Sequence, residues 1–181
     1  MSRTYVALLY SIVLTPQRRV VMADLRAMAE SLGLRNVRTL VSSGNMVFET
    51  RAGDIPRIEI RLEAAFEKTF GRCVPMIVRS AESWLDMAAA NPFPAESAAT
   101  PDQVAVRIMR HPVPGEAIDA LRQAAAPDER VEIVDGDPWV FFSRERPNSR
   151  LLAAINHKRL GAGTARNWNT VRGLAGMVSG K

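Results

Sequence analysis

Apolar residues along this chain recur at two spacings, every second residue and every third or fourth, and the switches between them mark out its elements. Residues 4–9 form one continuous apolar run, the pattern of a strand covered on both faces. Val21, Leu25, Met28 and Leu32 then follow at helical spacing, with Gly33 as a stop. Residues 37–41 are rich in β-branched side chains, Ser42-Ser43-Gly44-Asn45 reads as a turn, and residues 46–49 continue as the second arm of a hairpin. Asp54 is placed to cap a helix with Pro56 in its first turn, and Ile55, Ile58, Leu62, Phe66 and Phe70 line one face before Gly71. Residues 74–79 return to a strand pattern. The order is β-α-β-β-α-β.

A short helix is expected over residues 80–90, capped by Ser80 and burying Trp84, Leu85 and Ala88. Residues 91–101 are rich in Pro, Ala and Ser and read as a linker. The same order then repeats. Residues 103–110 form a strand, and Pro114 opens a helix bearing Ile118, Leu121 and Ala125. Two further apolar runs, 131–134 and 138–142, flank the hairpin signal Asp135-Gly136-Asp137. Ser149 heads a helix carrying Leu151, Leu152, Ile155 and Leu160 and ending at Gly161, with Lys158 and Arg159 at its negative end. Residues 164–168 are extended. Asn167 or Asn169 caps a last helix with Val171, Leu174 and Met177. The expected fold class is therefore α+β: two tandem ferredoxin-like halves, 1–90 and 102–181, joined by the 91–101 linker, with an additional C-terminal helix. The halves share element order and no evident sequence identity.

Composition changes this picture little, and charge changes it more. With 181 residues, 47% hydrophobic and 24% charged, the chain has ordinary globular composition. The net charge is +5, but residues 144–181 hold eight Lys or Arg and one acid, a net of +7. The rest of the chain, with 16 basic and 18 acidic residues, is at −2. Such asymmetry points to an anionic partner, whether nucleic acid, nucleotide or phosphorylated small molecule, or else to a solvated basic face. The apolar run over residues 5–14 matches a signal-peptide core in length, yet only Arg3 precedes it and no small-residue cleavage site follows. No membrane partner and a cytoplasmic location are expected. Cys73, the single cysteine, excludes an internal disulfide and sits in a β-like apolar run, where a structural thiol is the expected reading.

Recognisable catalytic motifs are absent: there is no G-x-S-x-G elbow, no Walker A loop and no G-x-G-x-x-G. His111 and His157 lie in different halves without Cys or carboxylates at ligand spacing, so no metal and no cofactor are expected. Gly161-Ala162-Gly163 follows a helix rather than a strand and reads as a helix stop. The candidate site is the 164–170 segment. Arg166 is a strong anion ligand, Asn167 and Thr170 offer hydrogen-bonding groups, and Trp168 is a wall. Ser149 and Arg150 open the preceding helix and are placed to converge on it. The plain structural alternative makes Asn167 a cap, Trp168 a core plug and Arg166 one half of an ion pair. Ser43 and Asn45 form a second candidate whose alternative is a hairpin turn.

Met22-Ala23-Asp24-Leu25-Arg26-Ala27, Ser31-Leu32-Gly33, Asn36-Val37-Arg38-Thr39, Ser43-Gly44-Asn45 and Val47-Phe48 together resemble the N-terminal signature of the bacterial family known as domain of unknown function 1697. Residues 164–171 are similar to that family's C-terminal signature, and Ser149-Arg150-Leu151 to its Ser-Lys-Leu step. The resemblance implies two tandem α+β halves and no known reaction. One departure stands out. Where family members typically read Leu-Leu-Arg-Gly-Ile-Asn-Val-Gly-Gly after the first strand, this chain has Tyr10, Ser11, Val13, Thr15 and Pro16 at the Arg, Gly, Asn, Gly and Gly positions. A glycine-rich loop able to approach a phosphate is thereby lost. Three functions stay open on the sequence: a binding or regulatory protein for an anionic ligand, an enzyme on a small anionic substrate in the cleft between the halves, or a protein–protein adaptor using the apolar stretch from Tyr10 to Leu14.

Overall fold

The hydrophobic rhythm becomes two four-stranded sheets. The structure, a computed structural model, describes residues 1–10, 20–40, 44–142 and 149–180. The chain divides into two compact units: Met1–Leu85 with Gly173–Lys181, and Asp86–Arg172.

Unit 1 opens with β1 (Arg3–Leu9) and α1 (Met22–Ser31), followed by β2 (Arg35–Leu40), β3 (Asn45–Thr50), α2 (Ile55–Phe70) and β4 (Met76–Ser80). The sheet order is β2-β3-β1-β4, and β1 is antiparallel to both neighbours. Tyr5, Ala7 and Leu9 point to one face and pack in a core with Leu25 and Met28 of α1 and Ile58, Leu62 and Phe66 of α2. The alternate residues Val6, Leu8, Val47 and Ile77 are buried on the other face. A continuous apolar strand is what two covered faces require.

The long helix α2 owes its limits to local chemistry. Asp54 accepts the N–H of Arg57 at 3.4 Å, Pro56 lies in the first turn, and Gly71 closes the helix with φ +69°. A second face of α2 serves the sheet. Glu59 and Glu63, one helical turn apart, accept the N–H groups of Val78 and Met76, both at 2.9 Å. Because β4 is an edge strand, these carboxylates occupy donors that would otherwise face outward unpaired. Cys73 precedes β4 and is exposed, so it lies outside the strand its apolar run suggested. The strand starts later than the apolar run suggests, so Val74 enters the core and Cys73 does not.

The short helix α3 (Ala81–Ala89) begins where Ser80 accepts the N–H of Ser83 at 3.1 Å, and Trp84 on it is fully buried. Within the proline-rich stretch a second short helix forms, α4 (Pro94–Ala99), with proline in its first turn and Ala, Glu and Ser following. Unit 2 continues with β5 (Val104–Met109), α5 (Gly115–Ala124), β6 (Arg130–Val134), β7 (Asp137–Phe141), α6 (Arg150–Ile155), a 3-10 turn (Lys158–Leu160), β8 (Gly163–Asn167) and the first turn of α7 (Trp168–Val178), whose residues from Gly173 on belong to unit 1. Its sheet order is β6-β7-β5-β8, the same permutation as in unit 1. The Asp135-Gly136 hairpin has φ +49° and +84°, both left-handed, as a two-residue turn between twisted strands requires. A side chain at Gly136 would also meet Pro112 at 2.6 Å.

One feature of unit 2 departs from the sequence expectation. The helix begun at Ser149 does not run to Leu160. It ends at Ile155 and resumes as the 3-10 turn. The physical cause lies beneath it. Arg107, 1% exposed in the middle of β5, donates to the carbonyl of Ile155 at 2.8 Å and to that of Gly161 at 2.9 Å, and so takes up carbonyls at the ends of both segments. Pro138, in the strand as expected, has no N–H to give to the ladder. Nearby, the carboxylate of Asp137 accepts the N–H of Met109 at 2.8 Å. Gly163 is required by contact: a Cβ there would lie 2.8 Å from the Ile108 carbonyl and 2.6 Å from the Met109 sulfur.

Candidate functional site

The candidate residues of the 164–170 segment serve the local backbone. Register pairs Arg166 with Val106 and Ala165 with Arg107, so the two arginines point to opposite faces of the sheet. Arg166 is 9% exposed and donates to the Thr164 hydroxyl at 2.7 Å and to the Ala165 carbonyl at 2.9 Å. Burial pushes its guanidinium down to about 10, so it remains charged at neutral pH. Asn167 accepts the N–H and the hydroxyl of Thr170 at 3.1 and 2.9 Å and thereby caps α7. Trp168 is half-buried, its ring centroid 6.2 Å from that of Trp139.

Ser149 likewise caps α6, accepting the N–H of Leu152 at 3.2 Å. It has a further role, however. Ser149 and Arg150 line a concavity of about 1080 Å³ in unit 2, together with Glu96 of α4, Gln103 before β5, the Asp128-Glu129 turn and Phe141 of β7. This is the end of the sheet where β5 and β6 begin and β7 ends. Arg166, Asn167, Trp168 and Thr170 do not line it. Two of the lining residues, Glu96 and Phe141, contact Arg130, which does not itself line the concavity. Its guanidinium lies 5.2 Å from the ring centroids of both Phe93 and Phe141 and forms an ion pair with Glu96. That hydrogen bond, with a smaller contribution from the local backbone, holds the Glu96 carboxyl below its ordinary value.

In unit 1, Asn45 is fully buried and donates from Nδ2 to the Leu40 carbonyl at 3.0 Å, tying the β2–β3 hairpin. Ser43 and residues 11–16 of the first loop lie outside the described residues. Tyr10, at the edge of that loop, is half-buried against the unit 1 core. A smaller concavity of about 650 Å³ lies between α5 and the 3-10 turn, with Glu116, His157 and Arg159 around an apolar floor. His157 there accepts the N–H of Arg159 at Nδ1. Among the described residues, no three His, Cys, Asp or Glu side chains are grouped to hold a metal ion, and no helix is long and apolar enough to cross a membrane.

The sequence reading missed Glu129, Arg130 and Arg107. Asp128-Glu129-Arg130 looks like a solvated charge run, and nothing in it signals burial. Arg107 did carry a signal, since it interrupts the otherwise apolar strand Val104-Ala105-Val106-Arg107-Ile108-Met109.

Two α+β units, each a four-stranded antiparallel sheet with helices, define the class of the protein. The chain belongs to the family described as "Protein of unknown function (DUF1697)", whose model matches residues 1–139. Among solved structures it is similar to the conserved bacterial protein SP0830 from Streptococcus pneumoniae. The TM-score is 0.78 at 21% identity, covering 98% of this chain and 99% of that one. At that identity the likeness shows the fold alone. No curated protein matches the chain.

Proposed function

We propose that this chain is a binding protein for an anionic ligand (a nucleotide, a nucleic acid or a phosphorylated small molecule) engaged through unit 2, and that it works in the cytoplasm. One observation carries the reading. Arg150, Lys158, Arg159 and Arg172 are exposed, and among the described residues none of the four has an acidic partner. Exposed unpaired cations on one unit attract anions at a distance. The order β-α-β-β-α-β with strands permuted 2-3-1-4 supports reading each unit as ferredoxin-like. The mode in which such units stack bases on an open sheet is not favoured, because Phe48, Trp139 and Phe142 are all buried.

Titration of labelled RNA, DNA and nucleotides at two salt concentrations tests the proposal. Affinity should fall steeply as salt rises. Replacing Lys158 and Arg159 together by Glu should weaken polyanion binding. Absence of binding by every probe at the lower salt concentration overturns the reading.

A further inference from the structure

The concavity of unit 2 carries unmatched charge of both signs. On the inner side is Glu129, 5% exposed. Its Oε2 accepts the N–H of Ala126 at 3.0 Å, whereas its Oε1 is buried and has no hydrogen-bond partner. A buried carboxylate oxygen without a donor is unfavourable, because nothing replaces the water it has lost. Arg130 does not supply that donor, since it is held between two rings and paired with Glu96. On the outer side is Arg150, exposed and without an acidic partner among the described residues. Small alanines, Ala95, Ala99 and Ala124 among them, line the same concavity.

We propose that this concavity binds a small zwitterion. A protonated amine of the ligand donates to Glu129 Oε1, and its anionic group, phosphate or carboxylate, meets the Arg150 guanidinium. The inference rests on the anionic-ligand reading above and narrows it to a ligand with a cationic end. A charge-assisted N–H···O bond is the strongest replacement available to a buried carboxylate oxygen. The terminal torsion of a glutamate is soft, so the carboxylate can turn its open oxygen toward the ligand. Inorganic phosphate lacks the cationic donor and a simple amine lacks the anion, so each matches the charge of only one of the two side chains.

The test is calorimetric titration of the full chain with phosphoethanolamine, β-alanine, inorganic phosphate and ethanolamine. At least one of the two zwitterions should bind about tenfold or more tighter than either phosphate or ethanolamine. Comparison of phosphoethanolamine with β-alanine identifies the anionic group. Glu129→Gln keeps an oxygen for the Ala126 N–H; it should lose about tenfold in affinity for the zwitterion while leaving phosphate binding unchanged. Arg150→Gln, at an exposed position, should weaken both. Zwitterions that bind no tighter than phosphate overturn the proposal, as does a folded Glu129→Gln protein that binds them undiminished. If Glu129→Gln does not fold, the wild-type comparison and Arg150→Gln decide. Salt-sensitive oligonucleotide binding without zwitterion binding overturns this inference alone and leaves the broader reading standing.

Discussion

Arg107 and Arg166 sit on adjacent strands and face opposite ways, yet both are buried cations held by backbone oxygens. Arg107 bridges the carbonyls of Ile155 and Gly161, so Arg107→Met leaves both without that donor, the first buried and the second part-buried. Hydrogen bonds to charged groups contribute roughly 1.5–3 kcal/mol each, and the variant should lose about 3 kcal/mol, read from its urea midpoint. Arg166 differs in what pH does to it. Its value is lowered to about 10, so folded and unfolded chains are both protonated below that pH. From this group alone, stability is flat through neutral pH and rises only above pH 10, where the folded form gives up the proton first. Glu96 has the same sign of pH dependence, but in the acid range. Its carboxyl is depressed by Arg130, so the stabilisation is present above the ordinary value of 4.5 and is lost as pH falls through the folded value. The difference in urea midpoint between wild type and Glu96→Gln should therefore be present at neutral pH and vanish in acid.

At the scale of elements, the two units solve one problem differently. Unit 1 guards its edge strand with carboxylates from a sixteen-residue helix, α2. Replacing Glu59 and Glu63 together by Ala uncovers the N–H groups of Met76 and Val78. The double variant should lose about 2–4 kcal/mol, at 1–2 kcal/mol for each unmade bond, and should self-associate on size-exclusion chromatography through the bared edge. In unit 2 the matching helix is only six residues long, and a buried arginine rather than a pair of glutamates holds its end. Hairpins and caps were legible beforehand because their signals are local. Asp54, Ser80, Ser149 and Asn167 all accept the capping bonds their positions suggest. The early end of α6 was not legible, because the residue that receives it lies 48 positions away in the chain.

At the scale of the whole molecule, the chain's last residues belong with its first. Gly173–Lys181 is part of unit 1. Arg38 of β2 donates to the Met177 carbonyl at 2.8 Å, and Leu40 lies so near Gly173 that a Cβ there would stand 2.8 Å from its Cδ2. A chain ending at Arg172 should therefore lose hydrogen-exchange protection in β2 and β3, while β5 and β7 stay protected. Equal loss in both sheets would count against a separate contribution of this segment to unit 1. The basic character of residues 144–181 is likewise shared out by the fold. Arg166 is buried, Lys158 and Arg159 are exposed in the 3-10 turn, and Arg150 is at the concavity.

The sequence by itself determined the order of the strands and longer helices, the caps at Asp54, Ser80, Ser149 and Asn167, and which residues of each strand are apolar. Each of these follows from side chains within a few positions of one another, and periodicity and capping report them directly. Tertiary structure alone decided that Arg166 is buried, and that Ser149 and Arg150 share a concavity with Glu129. Burial and partnership depend on what arrives from distant strands, and a charge run such as Asp128-Glu129-Arg130 reads the same in solvent as beneath a wall. The +7 segment was visible as composition. Which of its cations face solvent unpaired became visible only once the sheet of unit 2 had closed over Arg166.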